Sequence, residues 1–153
     1  GVSVTVGPVR LDVLAAKPLP AVPVASEGES ADENDSSLVM RATVGALTVL
    51  LCGDVEDSGQ RAAVTAVADL RADVLLIPHH GSSRQEPDFW ARTGATAAIA
   101  SVGADNSYGH PAAKTVRLAE SLGMSVLRTD EHGSIAVSAT DSGLRVTKEK
   151  NGQ

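Results

Sequence analysis

The feature that most constrains this chain is a nearly unbroken apolar run, Leu47-Thr48-Val49-Leu50-Leu51-Cys52, that stops abruptly at Gly53-Asp54. A run of that length reads as a strand covered on both faces, so something must pack above and below it. A second such run, Val74-Leu75-Leu76-Ile77, stops just as abruptly at Pro78-His79-His80-Gly81. Between them Ala62, Ala63, Ala66, Val67 and Leu70 recur at helical spacing, which predicts a helix over 57–70 with Asp57 or Ser58 as its cap. The same alternation continues. A short helix is expected from Pro87 to Arg92, a strand from Ala97 to Val102, a helix from Pro111 to Leu122 ended by Gly123, and a strand from Ser125 to Arg128.

Both ends of the chain have a different rhythm. Val2, Val4 and Val6, then Val9, Leu11 and Val13, alternate on either side of Gly7-Pro8 and predict a hairpin or bent strand. Residues 17–35 carry Pro18, Pro20 and Pro23 and then an acidic stretch, and are expected as a long loop. A strand over Ser37–Val44 turns at Gly45-Ala46 into the apolar run. After a turn over Asp130–Gly133, Ser134–Ala139 predicts a strand and Leu144–Val146 a last short one, followed by a charged tail over about 147–153. The whole is an α/β (α+β) layered protein with a mixed sheet.

In layered sheets, binding and catalytic groups gather in loops at strand ends. Asp54 and the pair His79-His80 follow two apolar strands directly, and a third loop, Gly103–Pro111, carries Asn106, Tyr108 and His110. Aspartate and histidine at adjoining strand ends are suitable ligands for a divalent metal. Each also has an ordinary reading: Asp54 as a turn or capping residue, the histidine pair as a plain turn, and His110 as the residue before a helix. His132 reads as an exposed turn residue, and Cys52, the one cysteine among 153 residues, as a small buried hydrophobe. With a single cysteine there is neither an intrachain disulfide nor a CxxC zinc site. Nucleophile-elbow and glycine-rich phosphate signatures are absent. No apolar stretch approaches the roughly 20 residues of a membrane helix. With 13 Lys and Arg against 19 Asp and Glu, the net charge of −6 argues against a duplex-DNA binder working through a basic face. It leaves room for a nucleic-acid enzyme that carries metal.

Four ordered segments together are more specific than any residue alone: Leu50–Glu56, Ala72–Ser83, Ser101–Pro111 and Leu127–Ile135. They resemble the metallo-β-lactamase-like domain of the ComEC family of competence DNA-uptake proteins, and the resemblance extends over roughly residues 3 to 138. It implies that 1–153 is the C-terminal half of an αββα sandwich, with helices on one side of its sheet. It also implies a metal-dependent phosphodiester hydrolase, a nuclease acting in competence and transformation. By that resemblance Asp54 matches the aspartate that can bridge two metals, Zn or Mn. The last ligand histidine maps onto His79 or His80, with His80 favoured and His79 behind it or facing substrate. Ser82, Asn106, Tyr108 and His110 would border the substrate, His110 also taking part in catalysis.

The HxHxDH segment of the other half is absent, so this chain alone is expected to hold no metal tightly and to hydrolyse nothing. The partners implied are the missing N-terminal half, DNA, and the membrane channel domain of the parent. The parent would lie in the cytoplasmic membrane with this domain on the extracytoplasmic side. A first residue that is Gly rather than Met, already strand-like, is consistent with a piece of a larger domain. An uncovered sheet face would favour a homodimer in isolation. Two alternatives are another hydrolase of the same fold, of the phosphorylcholine esterase type, and a non-catalytic module binding DNA or a partner protein.

Overall fold

A computed structural model of the chain describes residues 1–18 and 31–150. Most of the expected acidic loop, and the end of the expected tail, lie outside the described residues. Strands β1 (Val2–Val6), β2 (Val9–Ala15), β3 (Val39–Val44) and β4 (Leu47–Leu51) form an antiparallel meander. Strands β5 (Val74–Leu76), β6 (Ala97–Ala100) and β7 (Ser125–Arg128) continue the same seven-stranded sheet parallel to β4. The crossovers carry helices α2 (Asp57–Ala66), α3 (Pro87–Thr93) and α4 (Ala113–Ser121), and a one-turn helix α1 (Ala31–Asp35) precedes β3. A further turn, α5 (Thr129–His132), leads into a separate hairpin of β8 (Ile135–Thr140) and β9 (Gly143–Lys148).

The parallel strands are covered on both faces. Leu50, Leu75 and Ala98 pack with Ala63, Phe89, Trp90 and Ala119 of the three helices. On the opposite face Val74, Ala97 and Leu127 pack with Leu47, Val49 and Ile99 and with Ile135, Val137 and Leu144 of the hairpin. The mixed sheet matches the pattern, and the helices on one of its sides match what the resemblance implied. The register also shows what the meander does. Val2, Val13, Met40 and Leu51 form one cross-strand row, Val4, Leu11, Ala42 and Val49 a second, and Val6, Val9, Val44 and Leu47 a third. Cross-strand partners share a face. The apolar face under the hairpin therefore runs on across β1–β3, where Val2, Val4 and Val6 remain 64%, 50% and 65% exposed. The reverse face there is polar, with Ser3, Asp12 and Arg41 in one row and Thr5, Arg10 and Thr43 in the next.

Several expectations change. The first helix ends at Ala66, where Val67 turns extended, and Leu70 reaches the core from a loop. Its cap is neither Asp57 nor Ser58. Glu56 stands at the N-cap without a side-chain capping bond, and the buried Asp35 accepts hydrogen bonds from the Glu56 and Gly59 N–H groups and the Ser58 hydroxyl. The last residues of the expected loop, 31–35, are helical. Pro111 and Ala112 precede α4 rather than opening it. Residues 147–148, expected in the tail, belong to β9, and Glu149 accepts hydrogen bonds from Ser134. His132 is buried, its Nδ1 lying 3.1 Å from the Arg128 N–H. Cys52 is fully buried as expected, and burial pushes its thiol pKa upward.

Candidate functional site

Because β4 and β5 are parallel neighbours, the loops that follow them open at the same sheet edge. A backbone bond from the His79 N–H to the Gly53 carbonyl, 2.9 Å, ties the two loops together. Gly53 turns the chain at φ +52° and the Asp54 N–H donates to the Ser37 hydroxyl at 3.1 Å. Asp54 Oδ1 then lies 3.6 Å from His80 Nε2, with both side chains partly open to solvent. His80 Nδ1 is 2.7 Å from the Ser101 carbonyl. A carbonyl only accepts, so a neutral His80 carries its proton on Nδ1 and turns the Nε2 lone pair toward Asp54. That is the tautomer a metal ligand needs.

The two histidines are thus distinguished. His79 turns inward, its Nδ1 3.2 Å from Oε1 of the buried Glu56. Glu56 also meets Arg84 at 2.5 Å and the Asn34 amide at 3.3 Å. Both histidines occupy the left-handed region, at φ +48° and +53°. Two consecutive non-glycine residues there are unusual, and such strain gathers at functional sites.

The third loop forms the adjoining wall. His80, Ser101, Val102, Gly103, Asn106, Tyr108 and His110 line a cavity of about 470 Å³. The His110 ring lies 5.7 Å from that of His79, and Tyr108, 78% exposed, stacks on His110 at 6.1 Å. Asn106 is engaged within its own loop: Nδ2 donates to the Gly103 and His110 carbonyls and Oδ1 accepts the His110 N–H. Ser82 is buried below the histidine turn, and its carbonyl accepts from Gln85 and Thr115. His80, Asn106, Tyr108 and His110 therefore line one opening, with Asp54 adjoining it at His80, His79 adjoining it at His110, and Ser82 buried nearby.

Sequence reading missed Glu56, Gln60, Gln85 and Thr129, which surround the site from behind. Glu56 alone carried a signal, since it follows Asp54 by two residues. Gln60 and Gln85 meet each other across 25 residues, and Thr129 meets Val102 across 27. Among the described residues no group of three or more His, Cys, Asp or Glu side chains is arranged to hold a metal ion. Asp54 and His80 nonetheless fit two positions of a shared cation: a carboxylate oxygen and a correctly protonated imidazole face each other across 3.6 Å. Among the described residues no helix is long and apolar enough to cross a membrane.

No protein-family model matches the chain. It is 35% identical over 128 residues to ComE operon protein 3 of Bacillus subtilis (strain 168), covering 82% of this chain and 16% of that protein. It is 29% identical over 125 residues to competence protein ComA of Neisseria gonorrhoeae, covering 80% of this chain and 18% of that protein. The chain thus spans less than a fifth of the length of the curated relatives it matches. With the Asp54 and His80 loops at one sheet edge and this degree of identity over most of its residues, the chain belongs to the ComEC family of competence proteins.

Proposed function

We propose that this chain is the C-terminal half of a metal-dependent phosphodiesterase domain, a nuclease acting on DNA during uptake in competence. The observation that carries the reading is the Asp54–His80 pair, with the His80 tautomer set by Ser101. A bound divalent cation such as Zn²⁺ or Mn²⁺ supplies Lewis acidity there, lowering the pKa of water and screening a phosphodiester. Asp54 and His80 would hold it, and the remaining ligands would come from the other half of the domain. His79, kept in place through Glu56, and His110 present imidazole edges near the cavity, where hydrogen bonds to phosphate oxygens or to a leaving group form. The cavity, about 470 Å³, falls in the range of small-ligand sites. Tyr108 offers an exposed ring at its mouth.

The open apolar face of β1–β3 supports the half-domain reading. It continues rows that are covered elsewhere in the sheet, as a surface intended for a second layer would. In the parent, the N-terminal half would occupy it, beside a membrane channel domain and on the extracytoplasmic side. The net charge of −6 leaves attraction of DNA to the cation and to that other half. A nuclease assay on the intact parent tests the assignment. Asp54→Ala and His80→Ala should each lower activity by more than the roughly 10–100-fold lost when a residue behind a ligand is changed. Full activity in either variant contradicts it.

A further inference from the structure

We propose that Gln85 and Thr129 are positioning residues that hold His80 with its Nε2 toward Asp54; this rests on the reading of that pair as ligands and adds what keeps it in register. The need for such a device is set by the backbone. His79 and His80 are adjacent at φ +48° and +53°. A non-glycine residue in that region is strained and persists only where its surroundings over-determine it.

Gln85 is buried and has its side-chain amide fully used. Nε2 donates to the Pro78 carbonyl at 3.2 Å and the Ser82 carbonyl at 3.0 Å, the residues on either side of the strained turn. Oε1 accepts from Gln60 Nε2 at 2.9 Å and from the Trp90 indole at 3.1 Å. Gln60 in turn donates to the Val55 carbonyl at 2.9 Å and accepts the Glu86 N–H at 2.9 Å. Val55 follows Asp54. One buried amide pair therefore fastens the His80 turn and the Asp54 loop to each other, and a satisfied buried network of this kind rigidifies what it touches.

The imidazole is held from the other side. Its proton rests on the Ser101 carbonyl, and the residues flanking Ser101 are gripped by one hydroxyl. Thr129 Oγ1 accepts the Val102 N–H at 2.8 Å and lies 2.7 Å from the Val102 carbonyl and 3.4 Å from that of Ala100. Thr129 belongs to the Leu127–Ile135 segment, whose residues take no part in the proposed chemistry. His132, buried against the Arg128 backbone, stiffens the same turn. The segment thereby acquires a role as an anchor for the acceptor that selects the His80 tautomer.

The test reads the tautomer directly, by long-range ¹H–¹⁵N NMR of the histidine-labelled chain without metal. The pH would be about 8.5, roughly two units above the ordinary imidazole value. Wild type should show His80 as the Nδ1–H form, against the Nε2–H form that a solvated imidazole prefers. Thr129→Val and Gln85→Met should lose that pattern while the amide fingerprint of β4–β6 stays native, and Thr129→Ser should keep it. If Gln85→Met unfolds the chain, Gln85→Glu, which keeps the acceptor and loses the donor pair, takes its place. An unchanged His80 pattern in folded variants of both positions, or a wild-type His80 without the Nδ1–H form, overturns the proposal. Loss of the metal reading instead shows as an Asp54→Ala parent with full nuclease activity, an outcome independent of these spectra.

Discussion

Strands β4–β7 and strands β1–β3 are built from the same kinds of residue, yet the first group is covered on both faces while the second leaves one apolar face open. Leu50, Leu75 and Ala98 are sealed by helices on one face, and Val74 and Ala97 by the β8–β9 hairpin on the other. In the meander, Val2, Val4 and Val6 stand half to two-thirds exposed, although Val4 and Val6 lie in the same cross-strand rows as Val49 and Leu47, which pack beneath the hairpin. The difference lies in the covering element. Tight burial and the candidate site coincide in the closed region, while the open face is where the proposed second layer would sit.

The largest effect that would sharpen this contrast lies in the closed region. Trp90→Ala removes a fully buried indole together with its bond to Gln85, and should cost about 3–5 kcal/mol in a denaturant or thermal melt. Asp35 comes next. Burial works to raise its pKa, but hydrogen bonds from Ser58, Gly59 and Glu56 and the nearby Lys17 outweigh it, and the net shift is downward. A depressed carboxylate contributes stability above the ordinary carboxylate range and loses it as pH falls through the folded value. Asp35→Asn should therefore be less stable by about 1–3 kcal/mol at neutral pH, and the gap to wild type should close in acid melts. The smallest effect on folding is expected in the open region. Val4→Thr keeps strand propensity and should change monomer stability by no more than about 0.5 kcal/mol. What it should alter is association: light scattering should find wild type as a dimer or larger, and Val2, Val4 and Val6 changed together to Thr as a monomer. A Val4→Thr variant as unstable as Trp90→Ala would break the comparison.

Much of this was legible in the sequence, and for a physical reason. Apolar runs that end at Gly-Asp and Pro-His-His declare both a buried strand and a polar loop at its end, so Asp54 and the pair His79-His80 stood out as candidates from the pattern, and only the family resemblance favoured His80. The period-two valines announced β1 and β2. What stayed hidden depends on contacts distant in sequence. Asp35 caps a helix that begins 22 residues later. Gln60 and Gln85 look like surface residues until the fold buries them together. His132 lies among Asp130, Glu131 and Gly133, a polar context that suggests exposure, yet the hairpin turn draws it inward. The end of α2 was overrun because Leu70 continues the apolar period from a loop. The left-handed pair at His79 and His80 has no propensity signature, since tertiary bonds impose it.

Under the proposed function, Asp54 and His80 are two ligands of a metal site completed by the rest of the domain. Metal analysis of the intact parent, its Asp54→Ala variant and the isolated chain, after the same exposure to Mn²⁺ or Zn²⁺ and the same desalting, tests it most directly. Stoichiometric metal is expected in the parent, with a marked loss in Asp54→Ala and none retained by the isolated chain. Stoichiometric metal held tightly by the isolated chain, or undiminished metal in the Asp54→Ala parent, would contradict it.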